Sequence, residues 1–312
     1  MRIENIQIFP SKKRVVLNDK ATKILFNLTP EKFANLINGA TRNIVEKKNH
    51  KKKSKVKSGY RLETADNYIS IAPLDEYDRD VFDVVISEYE AGNRVISLAM
   101  IQRGLTGKAG DPNKKNSAYK TSPDKQDKKF DKDSTAEIRK ALIKMMSTIY
   151  DTDILESFEE LDYEGAEQVS KAPILPGKIK KVKLNGKVTE VFTITDESPL
   201  YTIAKIKGQI LTYDADTLDI PNQNNTRLVT MLKNCSLRRV EEIKKHSKQL
   251  KPILTLDDIF KKCRIADASK STKQDARITL DKFFAHLQTK GVIKSYEWAK
   301  KGNKFYSIKF TF

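Results

Sequence analysis

Asp214 and Asp216, in LTYDAD (211–216), have the spacing of a paired metal-binding carboxylate site. Set just after a strand, two such groups hold the divalent ions of polymerases and primases. The same pattern is common in turns, and no companion motif accompanies it, so a primase-like nucleotidyltransferase is the weakest expectation. GLTGKAGD (104–111) hints at a phosphate loop but lacks the four-residue gap and the Lys-Ser/Thr ending. His50, His246 and His286 are scattered, whereas a rolling-circle nicking site needs two histidines flanking one apolar residue. Cys235 and Cys263 have no partner at metal spacing and fall on apolar helix faces, which points to packing. The chain is therefore expected to be a binding protein and not an enzyme, with no cofactor and no metal.

The chemistry that the chain does carry is cationic. Lys plus Arg number 59 against 41 Asp plus Glu, a net charge of +18 over 312 residues. The charge is segregated: residues 1–57 carry a net +11, 58–221 a net −6 and 222–312 a net +13. Such polarity suits a polyanion, because each cation placed at a phosphate releases condensed counterions. No apolar run reaches the ~20 residues of a membrane span. The start, MRIENIQIFPSKKRVV, lacks the apolar stretch of a signal peptide, and two cysteines make no disulfide framework, so a cytoplasmic setting is expected.

The elements that must position these cations follow from periodicity. Residues 1–57 read as a basic, loosely ordered extension, with one possible helix at 28–39 and a Lys block at 46–57. Residues 58–221 read as a first domain. It has a helix over 75–91, a short strand running into a helix over 94–104, a Lys-rich insertion (107–133), and a helix from Ser134 with Glu137 at capping-box spacing. A hairpin around Asn185-Gly186 follows, then a helix at 198–208 and a strand at 208–214. Residues 222–312 read as a linking helix (226–248) and a second domain: helices at 254–263 and 271–291, then strands at 292–298 and 304–312.

Helix, turn, longer basic helix and two-stranded hairpin is the order of a winged helix-turn-helix. The fold class expected is α+β, mostly helical, with two such domains and small antiparallel hairpins. A helix of this kind fills the major groove and shows its N-terminal side chains to base edges. In the second domain the outward residues are Lys270, Lys273, Gln274, Arg277, Thr279 and Lys282, with Lys300, Lys301 and Lys304 at the hairpin tip. Arg277 is the first choice for a base contact, since a guanidinium can meet guanine O6 and N7 in two parallel hydrogen bonds. In the first domain the outward set is Thr135, Arg139, Lys140 and Lys144.

The stretches PLDEYDRDVFDVVISEYEAG, VISLAMIQRGL, SPLYTIAKIKGQI, NNTRLVTMLKNCSLRRV and ARITLDKFFAHLQTKGVIKSYEW with KKGNKFYSIKF carry a resemblance across residues 70–312. In these the chain resembles the plasmid replication initiators built from tandem winged-helix domains. The resemblance implies binding of double-stranded DNA at repeated origin sites, dimerisation through the first domain to repress its own gene, and recruitment of host helicase machinery or a host initiator. The basic N-terminal arm and the 107–133 insertion depart from the simplest pattern. A winged-helix transcriptional regulator is the alternative, because both functions read the same grooves; an RNA-binding or scaffold role for the basic ends is a third.

Overall fold

The computed structural model describes residues 9, 11–27, 60–64, 67–71, 74–108, 131–151, 171–184, 187–221, 223, 225–302 and 304–312. The described chain opens with β1 (Lys13–Leu17), α1 (Lys20–Asn27) and the antiparallel pair β2 (Tyr60–Thr64) and β3 (Asn67–Ile71). Next come α2 (Glu76–Glu90), β4 (Val95–Ser97), α3 (Leu98–Leu105) and α4 (Asp131–Ser147). A short pair, β5 (Ile149–Asp151) and β6 (Lys171–Pro173), precedes a longer one, β7 (Gly177–Leu184) and β8 (Lys187–Ile194). Then follow α5 (Pro199–Ile206), β9 (Ile210–Asp214), a 3-10 turn (Ala215–Leu218) and α6 (Arg227–Lys245). β10 (Ile253–Thr255), α7 (Leu256–Lys262), α8 (Lys270–Thr289), β11 (Ser295–Lys301) and β12 (Lys304–Thr311) complete an α+β arrangement with small antiparallel sheets.

One order occurs twice. With the intervening β5–β6 pair set aside, the elements α2, β4, α3, α4, β7, β8 and the elements α6, β10, α7, α8, β11, β12 both run helix, strand, helix, helix, strand, strand. Their sheets are arranged β4-β8-β7 and β10-β12-β11, so the last strand lies in the middle each time. Short polar caps start these helices. Asp75 and Asp78 form a capping box on α2, and Ser97, Thr226, Thr255 and Ser269 each accept a backbone N–H from the first turn of their helix. Ser198 precedes α5 but donates to the Ile174 carbonyl (2.6 Å) instead of capping.

α2 is the central element. Its apolar side chains Val81, Phe82 and Val85 are buried, and so are Glu76, Asp80 and Asp83, which follow one another along one face of the helix. Those carboxylates meet one guanidinium from α6: Arg238 pairs with Glu76, with Asp80 at 2.5 Å and with Asp83 at 3.0 Å. Burial works against the charge on Arg238, but the surrounding carboxylates more than offset it and hold its pKa well above the ordinary value. Burial pushes the Asp80 and Asp83 carboxyls up. This joint welds α6 to the first unit. Arg227 adds pairs with Asp75 (2.6 Å) and Glu137 (2.5 Å), and Asn234 donates to the Leu105 carbonyl (3.2 Å). Further along α6, the buried Lys233 donates to the Leu218 carbonyl (2.8 Å), and burial pushes its pKa down to about 8.

Several expected boundaries move. Within the extension expected to be loosely ordered over 1–57, β1 pairs antiparallel with β9 and buries Val15, Val16 and Leu17. Its apolar VVL core outweighs the basic residues around it. The helix expected at 28–39 and the Lys block 46–57 lie outside the described residues. α4 begins at Asp131, so Ser134 lies within the first turn and caps nothing. Of the insertion 107–133, residues 109–130 lie outside the described residues. Gly107 closes α3 with φ +80°, and a Cβ there would stand 2.5 Å from the Asp219 amide nitrogen, so this position needs glycine twice over. The helix expected over 254–263 begins at Leu256 with Thr255 as its cap; Leu254 and Thr255 belong to β10, which pairs with β12 across Leu254 and Ile308. The last hairpin starts at Ser295, because Val292 still closes α8 through the Leu287 carbonyl (2.9 Å).

Candidate nucleic-acid interface

α8 is fixed by an apolar stripe of Ala276, Leu280, Phe283, Phe284 and Leu287, all buried. Phe284 packs against Phe310 (5.2 Å between centroids), Tyr296 (5.8 Å) and Trp298 (6.4 Å) of the hairpin. Burying rings of this size contributes ~2–3 kcal/mol each. Polar bonds then fix the angle between helix and hairpin. One oxygen of Asp281 accepts from Trp298 Nε1 (2.7 Å) and from the Tyr296 hydroxyl (3.1 Å). Burial, followed by the Asp281 carboxylate, pushes the Tyr296 hydroxyl up to about 12.

On this frame the cations of α8 and the hairpin tip converge. The Arg277 guanidinium carbon lies 4.3 Å from the Phe305 centroid and 5.8 Å from that of Trp298. Lys300 Nζ lies 4.8 Å from the same Phe305 ring. One aromatic side chain thus gathers a helix cation and a hairpin cation. Stacking of this kind is worth ~0.5–2 kcal/mol and holds a guanidinium plane while leaving its N–H edge open. Among the described residues no acceptor takes an Arg277 donor and no carboxylate pairs with it.

The start of α8 is electrostatically inverted. α7 begins with Asp257 and Asp258 and ends with Lys261 and Lys262, as a helix dipole prefers. α8 has no acid in its first turn, while Lys270 opens it and Lys273 follows one turn on. Lys270 and Gln274 are exposed, Lys273 is half-buried, and Lys282 is exposed further along. A helix start crowded with cations is locally unfavourable and becomes favourable once an anion sits there. Lys301 and Lys304 face each other in the ladder at the turn end of the hairpin, around Gly302 at φ +61°.

The first unit treats its expected cations differently. Arg139 is bound by Glu190 of β8, with Nε 3.1 Å from the carboxylate, and Lys144 pairs with the buried Asp78 of α2 at 2.6 Å. Lys140 stays exposed. The structure therefore ties two of the three to neighbours in their own unit. What sequence reasoning missed is on β7, where Lys178, Lys180, Lys181 and Lys183 are all exposed. The run GKIKKVKL contains that signal, although its alternation points first to a hairpin strand.

The alternative chemistries are also placed. Asp214 pairs with Lys13 (2.7 Å) and Asp216 with Lys290 (3.0 Å), so each carboxylate faces an ammonium group. Cys235 and Cys263 are buried free thiols. Among the described residues no three His, Cys, Asp or Glu side chains converge as a metal ligand set, and no helix is long and apolar enough to cross a membrane. No family model, no curated protein and no solved structure matches this chain.

Proposed function

We propose that the protein binds double-stranded DNA sequence-specifically through two winged helix-turn-helix domains, and that it initiates replication of a plasmid-like element. The observation that carries the reading is the meeting of Arg277 and Lys300 on Phe305, at the junction of α8 with the β11–β12 hairpin. In a winged helix this is where the recognition helix enters the major groove and the wing reaches the adjacent backbone. The repeated element order, with the last strand central in both sheets, supports the same reading.

In this reading Arg277 meets a guanine edge, Lys270 and Lys273 hold phosphates at the start of the recognition helix, and Gln274 is placed for a second base. Lys282, Lys300, Lys301 and Lys304 contact backbone. Affinity comes from phosphate contacts and preference from base contacts. Origin opening would draw on binding energy and DNA deformation, without a covalent step by the protein. A cytoplasmic setting, a homodimer in at least one state and a host replication partner belong to the proposal.

The test has two parts. The full chain should select a recurring duplex sequence from a random pool at moderate salt. Supplied in trans, its gene should then maintain a replicon that carries those sites but lacks an initiator. Site binding without maintenance would make it a transcriptional regulator of the same fold. Indifference to duplex DNA would remove the reading.

A further inference from the structure

We propose that the first unit holds DNA with the edge of its β7–β8 hairpin, through a phosphate site formed by Lys178, Lys180, Lys181 and Lys183, and not with α4. The inference rests on the duplex-binding reading above and assigns a site to it that the α4 residues do not supply.

α4 has little charge to offer a phosphate. Two of its cations are engaged inside the unit, and Lys144 is closed in, with a side chain 17% exposed against an Asp78 side chain 2% exposed. Turning Lys144 to a phosphate would leave the buried Asp78 carboxylate with only the Asp75 N–H, and breaking a buried pair from one side is strongly unfavourable. Arg139 would have to leave Glu190. Of the three cations expected to face DNA from this helix, Lys140 is the one left exposed and without a partner among the described residues.

β7 offers far more. It is the outer strand of the sheet β4-β8-β7, and four of its eight residues are exposed lysines. Opposite them in the ladder stand Thr193, Val191, Glu190 and Val188. The single acid among these, Glu190, is the one that Arg139 occupies. Among the described residues no carboxylate pairs with any of the four lysines. Lysine on an edge strand keeps it from pairing with another chain. Four ammonium groups in one strand, same-face neighbours ~7 Å apart, repel one another and are relieved by an external row of negative charge.

Alternation identifies the shape of that partner. Lys178 and Lys180 project from one face of the ribbon, and Lys181 and Lys183 from the other. An acidic protein surface would meet one face. A DNA groove presents a line of phosphates on each side of an inserted ribbon, which matches cations on both faces. Because phosphates carry no base identity, this site adds affinity and footprint without preference.

The experiment compares three full-length variants with wild type on a duplex recovered from the random pool and on a random-sequence duplex of equal length, about four helical turns. In K178Q/K180Q/K181Q/K183Q the slope of log affinity against log salt should flatten by about 3 on both duplexes, with the ratio between them unchanged. K178Q/K181Q should flatten it by about half as much. R139Q/K140Q should leave the slope within about one unit of wild type. Backbone-cleavage footprints should lose protection on one flank in the quadruple variant and keep the central site. Circular dichroism checks that the variants fold, and the double lysine variant carries the test should the quadruple one fail to. A wild-type slope in the β7 variants, or an equal flattening in R139Q/K140Q, overturns the proposal while leaving duplex recognition by the second unit in place. Absence of any duplex binding by wild type overturns both.

Discussion

The guanidinium of Arg277 and the ring of Phe305 stack at 4.3 Å, joining the second turn of α8 to the strand that returns from the hairpin tip. Two substitutions separate charge from placement. Arg277→Ala should lower affinity for the selected duplex by ~1–3 kcal/mol and relax preference at one base pair. Phe305→Leu keeps the charge but releases the guanidinium, so preference should weaken while the salt dependence stays near that of wild type. Competition among single-base-pair variants of the site measures both. Unchanged preference in Arg277→Ala would move the reading face elsewhere.

Lys300 touches the same ring from the hairpin side. Lys300→Ala should weaken binding to specific and random duplexes alike, and flatten the salt slope by about one unit. A loss confined to the specific duplex would mean that this residue reads sequence.

The joint between α2 and α6 predicts an asymmetric pair of stability effects. Arg238→Met leaves Glu76, Asp80 and Asp83 buried without the guanidinium that binds all of them, and should cost ~3–5 kcal/mol. Asp80→Asn should cost less, because burial already drives that carboxyl toward its neutral form. Urea unfolding of both variants checks the order. Equal midpoints for Arg238→Met and wild type would show that the cluster contributes no stability.

Glu88 gives a pH prediction. Burial raises its pKa to about 7, against the opposing hydrogen bond from Asn93 (2.6 Å) and the charge of Arg14. A carboxyl whose folded pKa lies above its unfolded value contributes stability that is full below the unfolded pKa and is lost as pH rises through the folded one. The protein should therefore lose on the order of 1–3 kcal/mol between about pH 4.5 and about pH 7.5 from this group. Glu88→Gln retains an acceptor for Asn93 and should unfold at higher temperature than wild type near pH 8, with the gap closing toward pH 4. A gap that is constant with pH would assign the effect to packing.

The sequence was legible where local patterns decide. The spacing of Leu280, Phe283, Phe284 and Leu287 marks α8, Thr226 and Thr255 mark helix starts, and the paired strands at 177–184 and 187–194 flank the Asn185-Gly186 signal. It was opaque where distant partners decide. Nothing near Arg139 announces Glu190, and nothing near Lys144 announces Asp78, so helix cations that look outward are spent at home. β10 is too short to show alternation and gains its identity from Ser307 to Lys309 across the ladder. At Arg277 the residue type suggested a contact, but only the fold brings Phe305 and Lys300 to it.

The ladder between β1 and β9 registers Lys13 with Asp214 and Leu17 with Ile210. A ribosome must therefore deliver nearly the entire first unit before its opening strand finds its ladder partner, and until then Val15 through Leu17 can rest only on α2, where Val15 donates to Ser87 and Arg79 donates to the Leu17 carbonyl. Trimming the basic leader as dispensable ornament would strip a staple from the core, and a shortened gene product beginning after Asn27 should aggregate instead of merely binding less tightly.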